Sequence, residues 1–194
     1  KVKGGDLIKG EWFNVLKPSE LPFNLNYVSF SAVIDGAWTE NKNNDPSAIG
    51  YFYHDRRENI VYIRGVKSFR KRLSKAVDFI TSDAKLNGVD ATGVINIELK
   101  ASGYGFKDLL FAEGFNCDGI DNDIVKLGKL TRVEECEPSL RGGRVVLIDE
   151  GNWIKTFLAQ CEQFPNGKHD DEVDILTYII YLSLINGGNP YIKM

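Results

Sequence analysis

Short apolar runs alternate along the chain with segments whose apolar residues recur at helical spacing. The runs are rich in β-branched and aromatic side chains and end on polar residues or glycine, which predicts β-strands. These strands are predicted at residues 27–34, 48–53, 59–64, 93–98 and 144–148. The polar segment His54–Glu58 separates the second and third strands and predicts a hairpin. Helical spacing predicts helices at residues 68–86, with Ser68 as the N-cap, and at 103–112, 152–163 and 171–185.

This order of elements predicts one α/β domain. An antiparallel opening followed by strands that alternate with helices is typical of a mixed sheet with flanking helices. Gly10, Pro18 and Pro22 interrupt residues 1–27, which are predicted to be an irregular lead-in. The domain itself is predicted to occupy residues 28–194.

Composition narrows the class of protein. Of 194 residues, 43% are hydrophobic and 26% are charged, which argues against a disordered tail or a coiled coil. The apolar runs are too short to span a membrane. Three scattered cysteines and two histidines support neither a disulfide framework nor a zinc site, so we expect a reducing compartment. The first residues lack a signal-peptide core and an initiator Met, so we expect a piece of a longer, non-secreted chain.

Two carboxylates directly follow apolar strands. Asp35 ends the run Ser-Ala-Val-Ile, and Glu98 ends Val-Ile-Asn-Ile. Ligands of α/β sheets gather at the carboxyl ends of strands, so both acids are candidate site residues. A third acidic group, His169-Asp-Asp-Glu-Val-Asp, opens the last predicted helix. Within it, Asp170 and Asp174 are four residues apart and therefore share one face of the helix.

Helix capping is the structural alternative for the third group. An Asp in the first turn of a helix stabilises it by about 0.3–1 kcal/mol through the helix dipole. Capping accounts for one or two of these acids, but not for Asp174, which lies one turn into a mostly apolar helix.

Convergence of the three groups would require a counter-charge. Two carboxylates about 4 Å apart repel by about 4 kcal/mol at an effective dielectric of 20. Either a trapped proton or divalent cations must offset this repulsion. Oxygen ligands select hard ions, so the sequence indicates Mg²⁺ or Mn²⁺. Two such ions about 3.5–4 Å apart would activate a water and stabilise the leaving 3′ oxygen of a phosphodiester.

Basic residues are clustered although the formal net charge is −3. Six lie between Arg64 and Lys75, and five more are spread from Lys126 to Arg144. A run like the first is usually a solvated helix face, but it also suits a phosphate backbone. Both interpretations remain open at this point.

Further patterns occur in a fixed order along nearly the whole chain. They are Gly4–Phe13, Phe30–Ala37, Asn44–Gly50, Ile95–Gly103 (an acid, a basic residue, then Ala-Ser-Gly), Lys129–Arg132 with Gly143–Leu147, and Gln163–Asp174. Together they resemble the nuclease domain of the large terminase subunit of tailed bacteriophages, which has an RNase H-like fold. The last pattern is the most specific. The first resembles the joint that follows the packaging ATPase domain of that family.

The resemblance implies a metal-dependent endonuclease that cuts concatemeric viral DNA at the start and end of packaging. Carried over by position, Asp35, Glu98 and Asp171 would form the catalytic acidic triad. Asp170 and Asp174 would be neighbouring ligands for two Mg²⁺ or Mn²⁺ ions, and the choice between Asp170 and Asp171 as the principal ligand stays open. The basic residues implied to contact DNA are Lys100, Lys129, Arg132 and Arg144.

The resemblance also implies partners. These are double-stranded DNA, an ATPase domain preceding this chain, the small terminase subunit and the portal, in the cytoplasm of an infected bacterial host. The chain itself has no Gly-x-x-x-x-Gly-Lys-Ser/Thr phosphate-binding loop. Two alternatives remain: another RNase H-like nuclease, such as a junction resolvase or a transposase-like enzyme, and a non-catalytic DNA-binding or scaffold module.

Overall fold

The computed structural model describes residues 7–100 and 103–187. Residues 1–6, 101–102 and 188–194 lie outside the described ranges, including the first three residues of the predicted joint and the Ala-Ser step after Glu98. Within the described residues, no helix combines the length and apolar character needed to cross a membrane.

A mixed sheet forms the centre of the molecule, as the sequence predicts, but it has seven strands and not the five that were predicted. Its strands are β1 (Asn14–Leu16), β2 (Ser31–Asp35), β3 (Ser47–Asp55), β4 (Ile60–Phe69), β5 (Val94–Ile97), β6 (Asn116–Gly119) and β7 (Val145–Ile148). Their order across the sheet is β1-β7-β4-β3-β2-β5-β6. The pairings make β3 antiparallel to both of its neighbours, whereas the other paired strands are parallel. The carboxyl ends of six strands therefore meet at one end of the sheet, together with the start of β3.

Helices cover both faces of the sheet. They are α1 (Leu73–Leu86), α2 (Gly103–Ala112), α3 (Asn122–Lys126), α4 (Lys129–Arg141), α5 (Ile154–Gln163) and α6 (Asp171–Ile180). One core packs α1 and α2 against Ile34 and Ile97, and the other packs α4, α5 and α6 against Val33 and Ile63. A π-helical turn, Tyr181–Ile185, continues α6, so the predicted last helix changes its winding halfway.

The predicted hairpin is confirmed, but its second strand is longer than expected. β4 continues to Phe69, where Ser68 pairs with Ala48 and Phe69 with Ser47. The prediction that Ser68 caps the first helix is therefore wrong, since α1 begins at Leu73 after Arg72. The cross-strand pairing outweighs the local helical spacing of residues 68–72.

Four elements were not predicted from the sequence. The segment predicted to be an irregular lead-in contains β1, which pairs in parallel with β7, while Ile8 and Phe13 enter the core. β6 is a short, polar edge strand, and α3 and α4 carry few apolar residues. None of these elements shows the apolar periodicity on which the predictions rest.

Gly50 lets α6 lie close to the sheet. A Cβ atom at this position would lie 2.4 Å from Cγ2 of Ile175 and 3.1 Å from Cδ1 of Ile179. Because Ile is branched at Cβ, this side chain cannot easily swing away. The close approach brings the start of α6 to the end of the sheet where β2 and β5 terminate.

Candidate metal centre

The pleat of the sheet directs Asp35 and Glu98 to the same face. Along β2, Ile34 enters the core under α1 and α2, so the next residue, Asp35, points to the opposite face. In the same way, Ile97 of β5 enters this core, and Glu98, which directly follows β5, points to the opposite face. Ile97 pairs with Ile34 across the two parallel strands. The backbone N–H of Glu98 donates to the Ile34 carbonyl at 3.0 Å, which fixes the two carboxyl groups side by side.

The two carboxyl groups repel each other when both are ionised. Burial raises the pKa of Asp35 to about 8, and hydrogen bonding and charge repulsion from Glu98 add to the effect. Both carboxyl oxygens of Glu98 are buried, and within the described residues Oε2 has no hydrogen-bond or ion-pair partner. Lys100 forms an ion pair with Oε1 of Glu98, but its side chain is 66% exposed. A proton or a cation is therefore needed between Asp35 and Glu98.

The start of α6 brings a third acid, Asp174, to this pair. Its negative charge contributes to the raised pKa of Asp35. Tyr178, one turn further along α6, is close enough to Glu98, Asp174 and Asp35 for all three charges to raise the pKa of its phenol, which burial raises most. The charges of Asp35, Glu98 and Asp174 therefore all act on the phenol of the buried Tyr178.

Two cations hold Asp174 in place. Lys129 Nζ lies 2.6 Å from Asp174 Oδ2 and 2.6 Å from Asp170 Oδ1, so it bridges the two aspartates. Burial opposes the charge on Lys129, but the aspartates outweigh it and raise the pKa of the ammonium. Arg132 pairs with the other oxygen of Asp174.

Arg132 is buried, and each of its three side-chain nitrogens donates a hydrogen bond to a protein atom. Nε donates to Thr177 Oγ1 at 3.2 Å, Nη1 to the Leu127 carbonyl at 2.6 Å, and Nη2 to Asp174. The guanidinium also lies over the Tyr178 ring, 4.8 Å from its centroid. Arg132 thus serves Asp174 instead of presenting a surface to a phosphate backbone.

Asp170 and Asp171 take different directions from Asp174. Asp170 is the N-cap residue of α6, but its side chain makes no capping hydrogen bond and pairs with Lys129. Asp171 is half-buried, and after burial its raised pKa owes most to Asp45, not to Asp35 or Glu98. It lines a shallow pocket of about 320 Å³ with Ser68, Arg70 and His169, among others. Asp171 therefore faces this pocket, and its place in the predicted triad stays a prediction.

The remaining basic residues predicted to contact DNA lie in two places. Lys100 stands beside Glu98 at the mouth of the site. Arg144 precedes β7 and donates to the carbonyl of Asn59, which belongs to the turn between β3 and β4. That turn is at the end of the sheet opposite the acids, so Arg144 does not share their surface.

Two residues not singled out from the sequence shape the entry to the site. The buried hydroxyl of Ser47 accepts hydrogen bonds from the N–H groups of Ala37 and Trp38 at 3.0 and 3.2 Å, which anchors the chain just after Asp35. Trp38 has a positive φ of 49° and its ring lies 4.0 Å from that of Phe106. A Cβ at Gly36 would lie 2.0 Å from the Trp38 indole, so the tight turn requires glycine. A short polar side chain opening the next strand is the only local signal for Ser47.

The donor set suits a hard cation. Within residues 7–100 and 103–187, no three His, Cys, Asp or Glu side chains are gathered tightly enough to enclose a metal ion as they stand, because Asp174 is drawn to Lys129 and Arg132. The buried oxygens of Glu98 beside Asp35 nevertheless fit a divalent ion, which would offset the repulsion between the two carboxylates.

The fold and the acidic end of the sheet define an RNase H-like domain. The terminase RNase H-like domain family matches residues 34–182, and the chain belongs to this family. No curated protein sequence matches the chain.

Solved structures of terminase nuclease domains share this fold. The P22 large terminase nuclease domain has a TM-score of 0.63 at 17% identity, covering 92% of this chain and 92% of that one. The human cytomegalovirus terminase nuclease domain, soaked with Mn and bound to an inhibitor, has a TM-score of 0.60 at 15% identity, with 90% and 94% covered. The large terminase nuclease from thermophilic phage G20c with bound zinc has a TM-score of 0.59 at 16% identity, with 91% and 98% covered.

Proposed function

We propose that the chain is a divalent-metal-dependent endodeoxyribonuclease that hydrolyses phosphodiester bonds of concatemeric viral DNA during packaging. Membership of the terminase RNase H-like family supports the reaction class. The observation that carries the proposal is the close pairing of Asp35 with the buried carboxylate of Glu98, whose one ion-pair partner among the described residues is the largely exposed Lys100. Such a pair costs stability in a purely structural role, whereas a cation between the two groups would relieve the repulsion.

Asp35, Glu98 and Asp174 would hold Mg²⁺ or Mn²⁺, and Asp170 and Asp171 are the candidate ligands for a second ion. When bound, two such ions would lower the pKa of an attacking water and stabilise charge on the departing 3′ oxygen. Relatives with metal include the G20c nuclease with magnesium and the SPP1 nuclease domain with Mn. We infer the same class of ion for this chain.

The chain's own side chains orient the acids and receive the substrate. Arg132 fixes one oxygen of Asp174 and Lys129 the other, which sets the direction of the carboxylate. Lys100 and Lys129 are the accessible cations nearest the acids and would contact the phosphates that flank the cut. The ATPase domain, the small terminase subunit and the portal are the partners we propose from the family.

Cleavage of supercoiled plasmid by the purified chain tests the proposal. We expect nicking in millimolar MnCl₂ and none in EDTA, with activity lost in Glu98→Gln and Asp174→Asn. Asp149→Asn is the matched control, because Asp149 also directly follows a parallel strand but is exposed and lies on β7, three strands from β2. Asp171→Asn shows whether the predicted triad includes this residue. A chain that binds DNA but never cuts it would instead support the scaffold interpretation.

A further inference from the structure

A strongly basic segment lies at the same end of the sheet as the acids. Residues 65–77 contain five cations and no Asp or Glu, in a chain whose formal net charge is −3. Four of these cations follow the end of β4, and we call Arg70, Lys71, Arg72 and Lys75 the basic strip. The uneven distribution of charge points to an anionic partner at this surface.

The strand register fixes the strip's distance from the acids. Asp35 pairs with Ala48, and Ala48 pairs with Ser68, so the three residues form one row across β2, β3 and β4. With neighbouring strands about 4.8 Å apart, Ser68 lies roughly 10 Å from Asp35 and the strip roughly 10–20 Å from it. Since one DNA strand rises 3.4 Å per nucleotide, this corresponds to about three to six base pairs from a phosphate held at the acids.

The structure uses only part of the strip's charge internally. Nη1 of Arg70 donates to the carbonyls of Asn41 and Asn44 and so holds the loop that follows Asp35. Arg72 pairs with Glu40 on the surface, a type of pair that contributes about 0–1 kcal/mol. Within the described ranges, Lys71 and Lys75 form no ion pair, and Lys71 lies over the Phe79 ring.

The strip also surrounds the start of α1. Arg72 is the N-cap residue, its side chain makes no capping hydrogen bond, and the first turn contains no acid. Cations at this position oppose the helix dipole and lower the stability of the helix. An anion bound here would be attracted both by the start of the helix dipole and by the cations of the strip.

We propose that Lys71 and Lys75, with Arg70 and Arg72 beside them, bind the phosphate backbone of duplex DNA and guide it to the acids. This proposal rests on the function proposed above and names the surface by which the substrate is held. The contacts would set affinity and its salt dependence without reading sequence.

Binding of a fluorescein-labelled 30-base-pair duplex, followed by anisotropy in EDTA over a range of KCl concentrations, tests the strip separately from cleavage. Each lost phosphate contact lowers the slope of log K against log salt by about 0.9, so Lys71→Ala/Lys75→Ala should lower it by about 2. We expect about tenfold weaker binding at moderate salt for this variant. Lys71→Arg/Lys75→Arg should bind as the unmodified chain does, which excludes misfolding as the cause.

Arg56→Ala/Arg57→Ala is the matched control. These two exposed cations lie in the turn between β3 and β4, at the opposite end of the sheet. Their substitution removes the same charge as the strip variant does. Three results would contradict DNA binding by the strip. They are an equal loss of affinity in both alanine variants, no loss of affinity in the strip variant, and no binding of DNA by the unmodified chain. If the strip variant loses DNA affinity but the unmodified chain never cleaves DNA with Mn²⁺, the proposed DNA-binding role of the strip is supported and the proposed nuclease function is contradicted.

Discussion

Asp35 and Glu98 end neighbouring parallel strands with their carboxyl groups side by side on one face of the sheet. Their pairing is stable only with a proton or a cation between them, since burial removes the water that would otherwise screen the repulsion. This relationship makes the metal-free protein sensitive to pH in a direction that can be calculated.

We expect the metal-free protein to lose stability as pH rises. The pKa of Asp35 is about 8 in the folded chain against an ordinary value of 3.8, so the folded state binds the proton more tightly. This contribution to stability is complete below about pH 4 and is lost as pH rises through about 8. The charged groups that face Asp35 are Glu98, Asp174 and Lys100. The Tm in EDTA should therefore fall between about pH 5 and about pH 8.5.

Glu172 contributes to the same fall, because burial raises its pKa to about 7. Asp35→Asn should therefore flatten the part of the curve near pH 8 and leave the part that Glu172 causes. Glu172→Gln should do the reverse. A Tm of the unmodified chain that does not change over this range would contradict the close carboxyl pair.

Substitution of one strand-end acid should separate activity from stability. Asp35→Asn removes a ligand and also the repulsion with Glu98, so we expect no nicking of plasmid but a higher Tm than the unmodified chain in EDTA at about pH 8. MnCl₂ should raise the Tm of the unmodified chain, because a ligand that binds only the folded state stabilises it. In Asp35→Asn this increase should be small. Nicking by the variant at the unmodified rate would exclude Asp35 from the site.

Loss of Arg132 should destabilise the fold as well as the site. Arg132→Met leaves the buried Asp174 with Lys129 but without its buried partner, and breaking a buried pair costs up to about 3–5 kcal/mol. Urea unfolding measures the change. The double variant Arg132→Met/Asp174→Leu should recover much of the loss, because no unpaired charge remains. If Arg132→Met unfolds at the same urea concentration as the unmodified chain, the buried pair is not present in solution.

Overpacking between Gly50 and α6 should lower the stability of the protein and weaken metal binding at the acids. In Gly50→Val the new side chain meets Ile175 and Ile179, and overpacking of this kind costs about 1–3 kcal/mol. Because α6 carries Asp174, we also expect weaker stabilisation by Mn²⁺. Gly105→Ala is the control, since the space around Gly105 is open and alanine favours its helix by about 0.5–1 kcal/mol. A Gly50→Val protein as stable as the control would show that α6 does not pack closely there.

Local patterns predicted the parts of the fold whose residues interact with near neighbours in the chain. The β3–β4 hairpin, β5, β7 and α2 follow from short apolar runs and helical spacing, and the structure confirms them. β1 and β6 are supported by pairing with β7 and β5, which their own few residues do not reveal. Ser68 and Phe69 show the opposite conflict, because they were predicted to begin a helix but pair with β3.

The sequence alone determined which acids follow strands, because the alternation of apolar residues and the strand ends are local properties of the chain. It also determined that a carboxylate-rich site with hard cations was the coherent hypothesis for Asp35 and Glu98. Only the tertiary structure decided that the charge of Asp174 reaches this pair, that Asp171 lines a pocket with Ser68 and Arg70, and that Arg132 is buried and Arg144 lies at the far end of the sheet. These outcomes depend on how α4 and α6 pack on the sheet, through contacts between residues more than 40 positions apart that no local pattern encodes.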